Sequence, residues 1–143
     1  MAFLFDTDAI SEVMRKRPLP AYLEWLRRLP RGEQFTSAIN VGELYKGAYR
    51  SPAAEVWLER LQEQILPTLT VLPYDVGTAK LYGRLRADLE LRGTVPGEAD
   101  IQIAATALQH NLVMVTGNLK HYSRIEGLEI ETILADARAS SRG

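Results

Sequence analysis

The sequence predicts an α/β domain built on a mainly parallel central sheet of about five strands, with helices covering both faces. Three observations predict it. The short runs Phe3-Leu4-Phe5 and 112–116 are apolar on consecutive residues, as strands buried on both faces are. Stretches of helical periodicity separate the strand candidates, and a helical crossover joins strands that run parallel. An acid, Asp6, follows the first strand directly, where open sheets of this class bind ligands.

Taken in order, Phe3-Leu4-Phe5 is the first strand. Asp8 is placed to cap a short helix over 9–15, its carboxylate accepting from the free N–H groups of the first turn. Arg15, Lys16 and Arg17 put cations at that helix's negative end, and Pro18 stops it. A second helix covers 20–29, with Tyr22, Leu23, Leu26 and Leu29 on one face and Trp25 elsewhere. Pro30-Arg31-Gly32 turns the chain into a strand over 34–37. A third helix follows over 38–49. Gly42 and Gly47 each cost it about 1 kcal/mol relative to alanine, and such glycines usually permit close approach of another helix or a substrate backbone. Ser51 then Pro52 opens a fourth helix, which Pro67 ends. Residues 70–72 form a strand. Asp75 caps a long fifth helix over 76–92, and Gly93 stops it. The sixth helix, 98–110, is apolar almost all round and therefore central; Asn111 caps its end. After the strand at 112–116, Gly117-Asn118 opens a loop carrying Lys120, His121 and Tyr122. Glu129 and Glu131 alternate with apolar residues in 128–133, the pattern of a half-exposed edge strand. The small and polar residues 135–143 read as a frayed tail on a domain spanning 1–134.

Composition narrows the function classes. Lys plus Arg total 17 against 18 Asp plus Glu, so bulk charge makes no case for nucleic-acid binding. With no cysteine there are no disulfides, thiolate metal sites or cysteine nucleophiles, which fits a reducing cytoplasm. No basic segment precedes the first apolar run, and no stretch nears the ~20 apolar residues of a membrane helix. A cytoplasmic protein without a membrane partner is expected.

The acids carry the chemistry. Asp6 ends the first strand, Glu43 lies in the second turn of the helix after the second strand, Asp100 lies in the first turn of the sixth helix, and Asn118 follows the fourth strand. Four segments thus bring oxygen donors to one edge of the sheet. Such donors, without His or Cys partners, select Mg²⁺ or Mn²⁺ over zinc. Carboxylates clustered around these ions are the usual apparatus for hydrolysing a phosphodiester. Plainer roles suit the neighbours. Asp8 and Asp75 act chiefly as caps. Glu98 points to another side of its helix than Asp100 and serves the helix dipole. His121 reads as a surface or phosphate contact rather than a metal ligand.

The spaced set Leu4-Phe5-Asp6-Thr7-Asp8, Glu43-Leu44-Tyr45-Lys46-Gly47-Ala48, Asp100-Ile101-Gln102-Ile103-Ala104-Ala105-Thr106-Ala107 and Thr116-Gly117-Asn118 resembles PIN-domain proteins. Within that group it is most similar to the VapC-type toxins of bacterial and archaeal toxin–antitoxin pairs, over nearly the whole chain. The resemblance implies a Mg²⁺- or Mn²⁺-dependent endoribonuclease whose metal is bound at Asp6, Glu43 and Asp100, with Asn118 or a position close after it completing the site. It also implies a homodimer, and a heterotetramer or larger assembly with a cognate VapB-type antitoxin that blocks the acidic pocket, often with an arginine. Two departures stand out. His121 occupies the place where the family commonly has a further Asp, which favours one firmly held ion. Asp8 replaces a commoner Asn. Glu98 is a candidate to compensate for the lost acid. Arg15, Lys16, Arg17, Lys46 and Lys120 are candidate contacts to RNA phosphates, with Tyr45 or Tyr122 for stacking.

Two other readings compete. Asp6-Thr7-Asp8 after an apolar strand also suits a haloacid-dehalogenase-like phosphatase with Asp6 as nucleophile, although no late paired-acid motif follows. The missing acid at His121 suits a degenerate PIN-like module that only binds a partner. A nucleotide-binding Rossmann domain is disfavoured, because no glycine-rich turn follows the first strand.

Overall fold

The computed structural model describes residues 1–142. Its centre is a sheet of β1 (Phe3–Phe5), β2 (Gln34–Ser37), β3 (Thr70–Leu72), β4 (Val113–Val115) and β5 (Ile130–Glu131). The strands lie in the order β3-β2-β1-β4-β5, and every pairing is parallel, the edge strand included. The helices are α1 (Thr7–Val13), α2 (Pro20–Arg27), α3 (Ala38–Arg50), α4 (Ala54–Arg60), α5 (Val76–Leu91), α6 (Glu98–Gln109), α7 (Leu119–Tyr122) and α8 (Ile133–Arg142).

Alternation along the central strands feeds two cores. Phe3, Phe5, Val113 and Val115 join Ile10, Tyr22, Leu44 and Leu134 on one face. Leu4 and Met114 join Leu89, Ile101 and Ala104 on the other. Trp25 belongs to the first layer, edge-on to Phe3 with ring centroids 5.3 Å apart, although the apolar stripe read from 20–29 omits it. The chain steps outward from β1 to β3 and then returns across the sheet to β4. Strand order therefore reverses between β1 and β4, and their carboxyl ends flank the crevice where such sheets bind ligands.

The structure corrects several local expectations. Asp6, not Asp8, caps the first helix. Asp6 is still extended, and its Oδ1 accepts from the Ala9 N–H at 2.8 Å, whereas Asp8 is already helical. That helix ends at Val13, so Arg15, Lys16 and Arg17 lie in the turn beyond it. After Ser51, regular helix begins only at Ala54. From Leu61 it passes into a π-helical turn, Leu61–Ile65, and then a 3₁₀ turn, Leu66–Thr68, which contains Pro67. The last strand shrinks to two residues, because the Glu131 carboxylate accepts from the Ile133 N–H at 3.0 Å and turns the chain into α8.

The largest departure is at the end of the chain. Residues 135–142, expected as a frayed tail, continue α8, so the folded unit does not stop at 134; Gly143 lies outside the described residues. Ile133, Leu134 and Ala137 share one face of this helix, and Leu134 and Ala137 are buried. Burial of that stripe stabilises a helix whose alanines and serines mimic a tail in composition.

Candidate active site

A pocket of about 250 Å³ opens at the carboxyl ends of β1 and β4, and its walls include Asp6, Asp8, Glu43, Asp100, Asn118 and His121. Asp6 is only 3% exposed. Burial pushes its carboxyl up to about 7, helped by the charges of Asp8 and Asp100 and opposed by hydrogen bonds from the Thr116 hydroxyl and the Ala9 N–H. Asp100, half-buried in the first turn of α6, is also raised. Burial is the main cause and the Glu43 charge adds to it, while His121 and the Tyr122 hydroxyl act in the opposite direction. The His121 Nδ1 lies 3.1 Å from Asp100 Oδ2, and the Tyr122 hydroxyl donates to Oδ1 at 3.4 Å.

Glu43 is oriented by a relay that the sequence does not advertise. The Ser37 hydroxyl donates to Asn40 Oδ1 at 2.6 Å, Asn40 Nδ2 donates to the Thr7 hydroxyl at 3.0 Å, and Thr7 donates to Glu43 Oε1 at 2.6 Å. Ser37 and Asn40 form the capping box of α3, so the device that starts the helix also aims its acid.

Asp8 has another occupation. Arg138 from α8 grips it through two hydrogen bonds, 2.8 and 3.0 Å, and also reaches Glu12 at 3.1 Å. Asp8 Oδ2 further accepts from the Gly117 N–H at 3.0 Å. One carboxylate thus ties α1, α8 and the turn bearing Asn118 together. A Cβ on Gly117 would overlap the Arg138 guanidinium and lie 2.6 Å from Asp8 Oδ2. Gly117→Ala is expected to lower stability by ~1–3 kcal/mol, read as a lower midpoint in urea, because the clamp must open to admit the methyl group. An unchanged midpoint would show that the clamp yields freely.

Other candidates fall outside this set. Glu98 does not replace the missing acid. Its carboxylate accepts from the Tyr82 hydroxyl at 2.8 Å and lies 3.7 Å from Arg86, both on α5. Tyr122 is buried and unavailable for stacking on a base. None of Arg15, Lys16, Arg17, Lys46 and Lys120 lines the acidic pocket. Lys120 is exposed between Asn118 and His121, Lys46 is exposed on α3, and Arg15 borders a neighbouring cavity.

Among the described residues, no three acids or histidines are drawn in around one point where an ion would sit. The donors nevertheless suit a hard divalent cation. Asp6, Glu43, Asp100 and Asn118 all offer oxygen and all line the same pocket, where the Asp100 charge adds to the proton affinity of Asp6 and the Glu43 charge to that of Asp100.

A family model described as PIN domain matches residues 3–128. Ribonuclease VapC2 of Haemophilus influenzae is 35% identical over 131 residues, which cover 92% of this chain and 97% of that protein. A tRNA(fMet)-specific endonuclease VapC of Salmonella typhimurium is 34% identical over 131 residues, 92% of this chain and 97% of that protein. Among solved structures, VapBC2 from Rickettsia felis bound to a DNA fragment from their promoter is similar with a TM-score of 0.84 and 29% identity, covering 92% of this chain and 98% of that one. The chain belongs to the PIN-domain family, within its VapC ribonuclease group.

Proposed function

We propose that the protein is a Mg²⁺- or Mn²⁺-dependent endoribonuclease and the toxin of a VapBC-type pair. The observation that carries this reading is the convergence of Asp6, Glu43, Asp100 and Asn118 on one pocket at the strand-order reversal. Asp6, Glu43 and Asp100 would hold the ion, with the Asn118 amide oxygen beside them. Bound there, the ion supplies an activated water and neutralises charge on the phosphate under attack. Each acid is steadied by its surroundings. The helix cap fixes Asp6, the Thr7–Asn40 relay turns Glu43, and Tyr122 and His121 hold Asp100. The Tyr122 phenol is raised above its ordinary range, by burial first and the nearby acids second, so it stays neutral and donates. Lys120, exposed on α7 between Asn118 and His121, would meet an RNA phosphate at the rim.

The partners proposed are single-stranded or loop RNA, a second copy of the chain, and a VapB-type antitoxin that places a cationic side chain in the acidic pocket. Among the described residues no helix is long and apolar enough to cross a membrane, and a cytoplasmic site of action is proposed. Membership of the PIN family leaves the phosphatase alternative unsupported, and three intact acids in one pocket argue against a module that only binds. The test is direct: purified protein should cut RNA with Mg²⁺ or Mn²⁺, stop with chelator and resume on metal addition. Turnover of a small phosphate monoester with RNA left intact would overturn the reading.

Asp6 gives a prediction that needs no substrate. Its folded carboxyl holds a proton more tightly than in the unfolded chain, with a folded pKa of about 7. That stabilisation is complete below ~pH 4 and is lost as pH rises through 7, so at higher pH the ionised group weighs against folding. Asp6→Asn retains an oxygen for the Ala9 N–H and removes the charge. The metal-free variant is expected to be more stable than wild type at pH 8, by ~2–4 kcal/mol at ~1.4 kcal/mol per pH unit, and this margin should shrink towards pH 5. Chemical denaturation at the two pH values checks it; a variant less stable at pH 8 would contradict it.

A further inference from the structure

Gly47 lacks the usual justification for a glycine inside a helix. It weakens α3 relative to alanine, yet a Cβ built there meets no atom within 4 Å, so no helix packs against it. It lines instead a second cavity of about 310 Å³. Glu43, Leu44 and Gly47 lie at helical spacing on the α3 wall of this cavity, and Met14 and Trp57 also line it. Arg15 borders it with its side chain 65% exposed. Thr7 and Glu43 line both this cavity and the acidic pocket, so the two adjoin.

We propose that this cavity receives the unstacked nucleobase of the nucleotide next to the scissile phosphate in single-stranded RNA. The inference rests on the nuclease reading and adds a determinant of which RNA is cut. A base is tethered to its phosphate by one ribose. A strand whose phosphate lies in the acidic pocket must therefore place a base close by, and the adjoining cavity offers it an apolar surface with the Trp57 indole in its wall. Every base has a π-face that an indole and a thioether can cover, and unstacked bases are how proteins read single-stranded RNA. The volume sits at the lower end of the ~300–1,000 Å³ typical of small-ligand sites, which suits one planar ring system. Arg15 is placed to meet the phosphate that follows. A side chain of the antitoxin is the rival occupant, since a cationic residue in the acidic pocket would anchor it nearby, but a base that one ribose joins to its phosphate is held closer.

Gly47→Leu tests this by filling the cavity from α3 while leaving every acid in place. Single-stranded 12-mer RNAs are cleaved, the preferred cut is mapped, and the nucleotide on each side of it is replaced in turn by an abasic residue. On the intact RNA, Gly47→Leu is expected to lose about 10-fold or more in kcat/KM, with Mn²⁺ affinity unchanged and the melting temperature equal or higher. One abasic substitution should cost the wild type a similar factor and cost the variant nothing further. Equal cleavage by variant and wild type, or equal abasic penalties in both, would overturn the inference while leaving the nuclease reading intact. If Gly47→Leu cuts normally but no longer binds the antitoxin, the cavity is a protein groove and the inference falls. A wild type that cuts no RNA with metal present would sink both readings.

Discussion

Asp100→Asn is expected to lower RNA cleavage by ~10³-fold or more while leaving the fold intact. Asparagine matches aspartate in shape and retains an oxygen for the Tyr122 hydroxyl, 3.4 Å away in the native protein. What disappears is one of three carboxylate charges lining the pocket, where the proposed ion would sit. Removing one preorganised neutral donor from a transition state costs ~10²–10³ in kcat, and a charged group proposed also to hold the metal should cost at least as much. Burial already raises the proton affinity of Asp100, with the Glu43 charge adding to it, so neutralising it relieves the apo protein. The melting temperature should therefore stay level or rise while activity falls to that of wild type in chelator. A variant that cuts RNA at the native rate would end the assignment of these acids.

The sheet was legible because its strands carry their own signal. Phe3-Leu4-Phe5 is apolar on both faces, and both faces are in fact buried, in two different cores. Asp6 and Asp100, which line one pocket, stood out for the complementary reason: their segments are otherwise too apolar to carry a solvated charge, whereas Glu43 taken alone reads as a solvated helix residue. The choice between Asp6 and Asp8 as cap was not legible. Either carboxylate can reach a first-turn N–H, and the decision turns on where the ladder ends. The Asp6 N–H still donates to the Val115 carbonyl at 3.1 Å, a partner 109 residues away. The Thr7–Asn40 relay was hidden in the same way, because it joins residues 33 positions apart. Helical periodicity turned Glu98 correctly away from Asp100, and Tyr82 holds it there, so its use as a substitute acid had already been argued against by its own spacing.

The C-terminal helix was missed because Ala and Ser dominate it, and a lone helix of this length is marginal in water. Its signal was the spacing of Ile133, Leu134 and Ala137, and its consequence is the second large prediction. Arg138→Ala is expected to lower the free energy of unfolding by ~3–5 kcal/mol at neutral pH, the range seen when one partner of a buried ion pair is removed. The Glu12 side chain is 0% exposed, with Oε1 held by Arg138 at 3.1 Å and Oε2 by the Leu19 N–H at 3.2 Å. Arg15 lies 3.7 Å from Oε1 but is largely exposed, so it screens Glu12 poorly once Arg138 is gone. Asp8 loses two hydrogen bonds at the same moment, and Asp6 sits two residues away. The stranded charges, more than the missing contacts, set the size of the effect. Neutralising them should therefore restore what the single change removes: adding Asp8→Asn and Glu12→Gln to Arg138→Ala is expected to recover more than half of the lost stability in urea denaturation. Loss without recovery would mean that Arg138 acts through packing of α8 alone. No loss would mean that α8 does not clamp the rim of the site, and Asp8 would then be available to the pocket as a fourth acid.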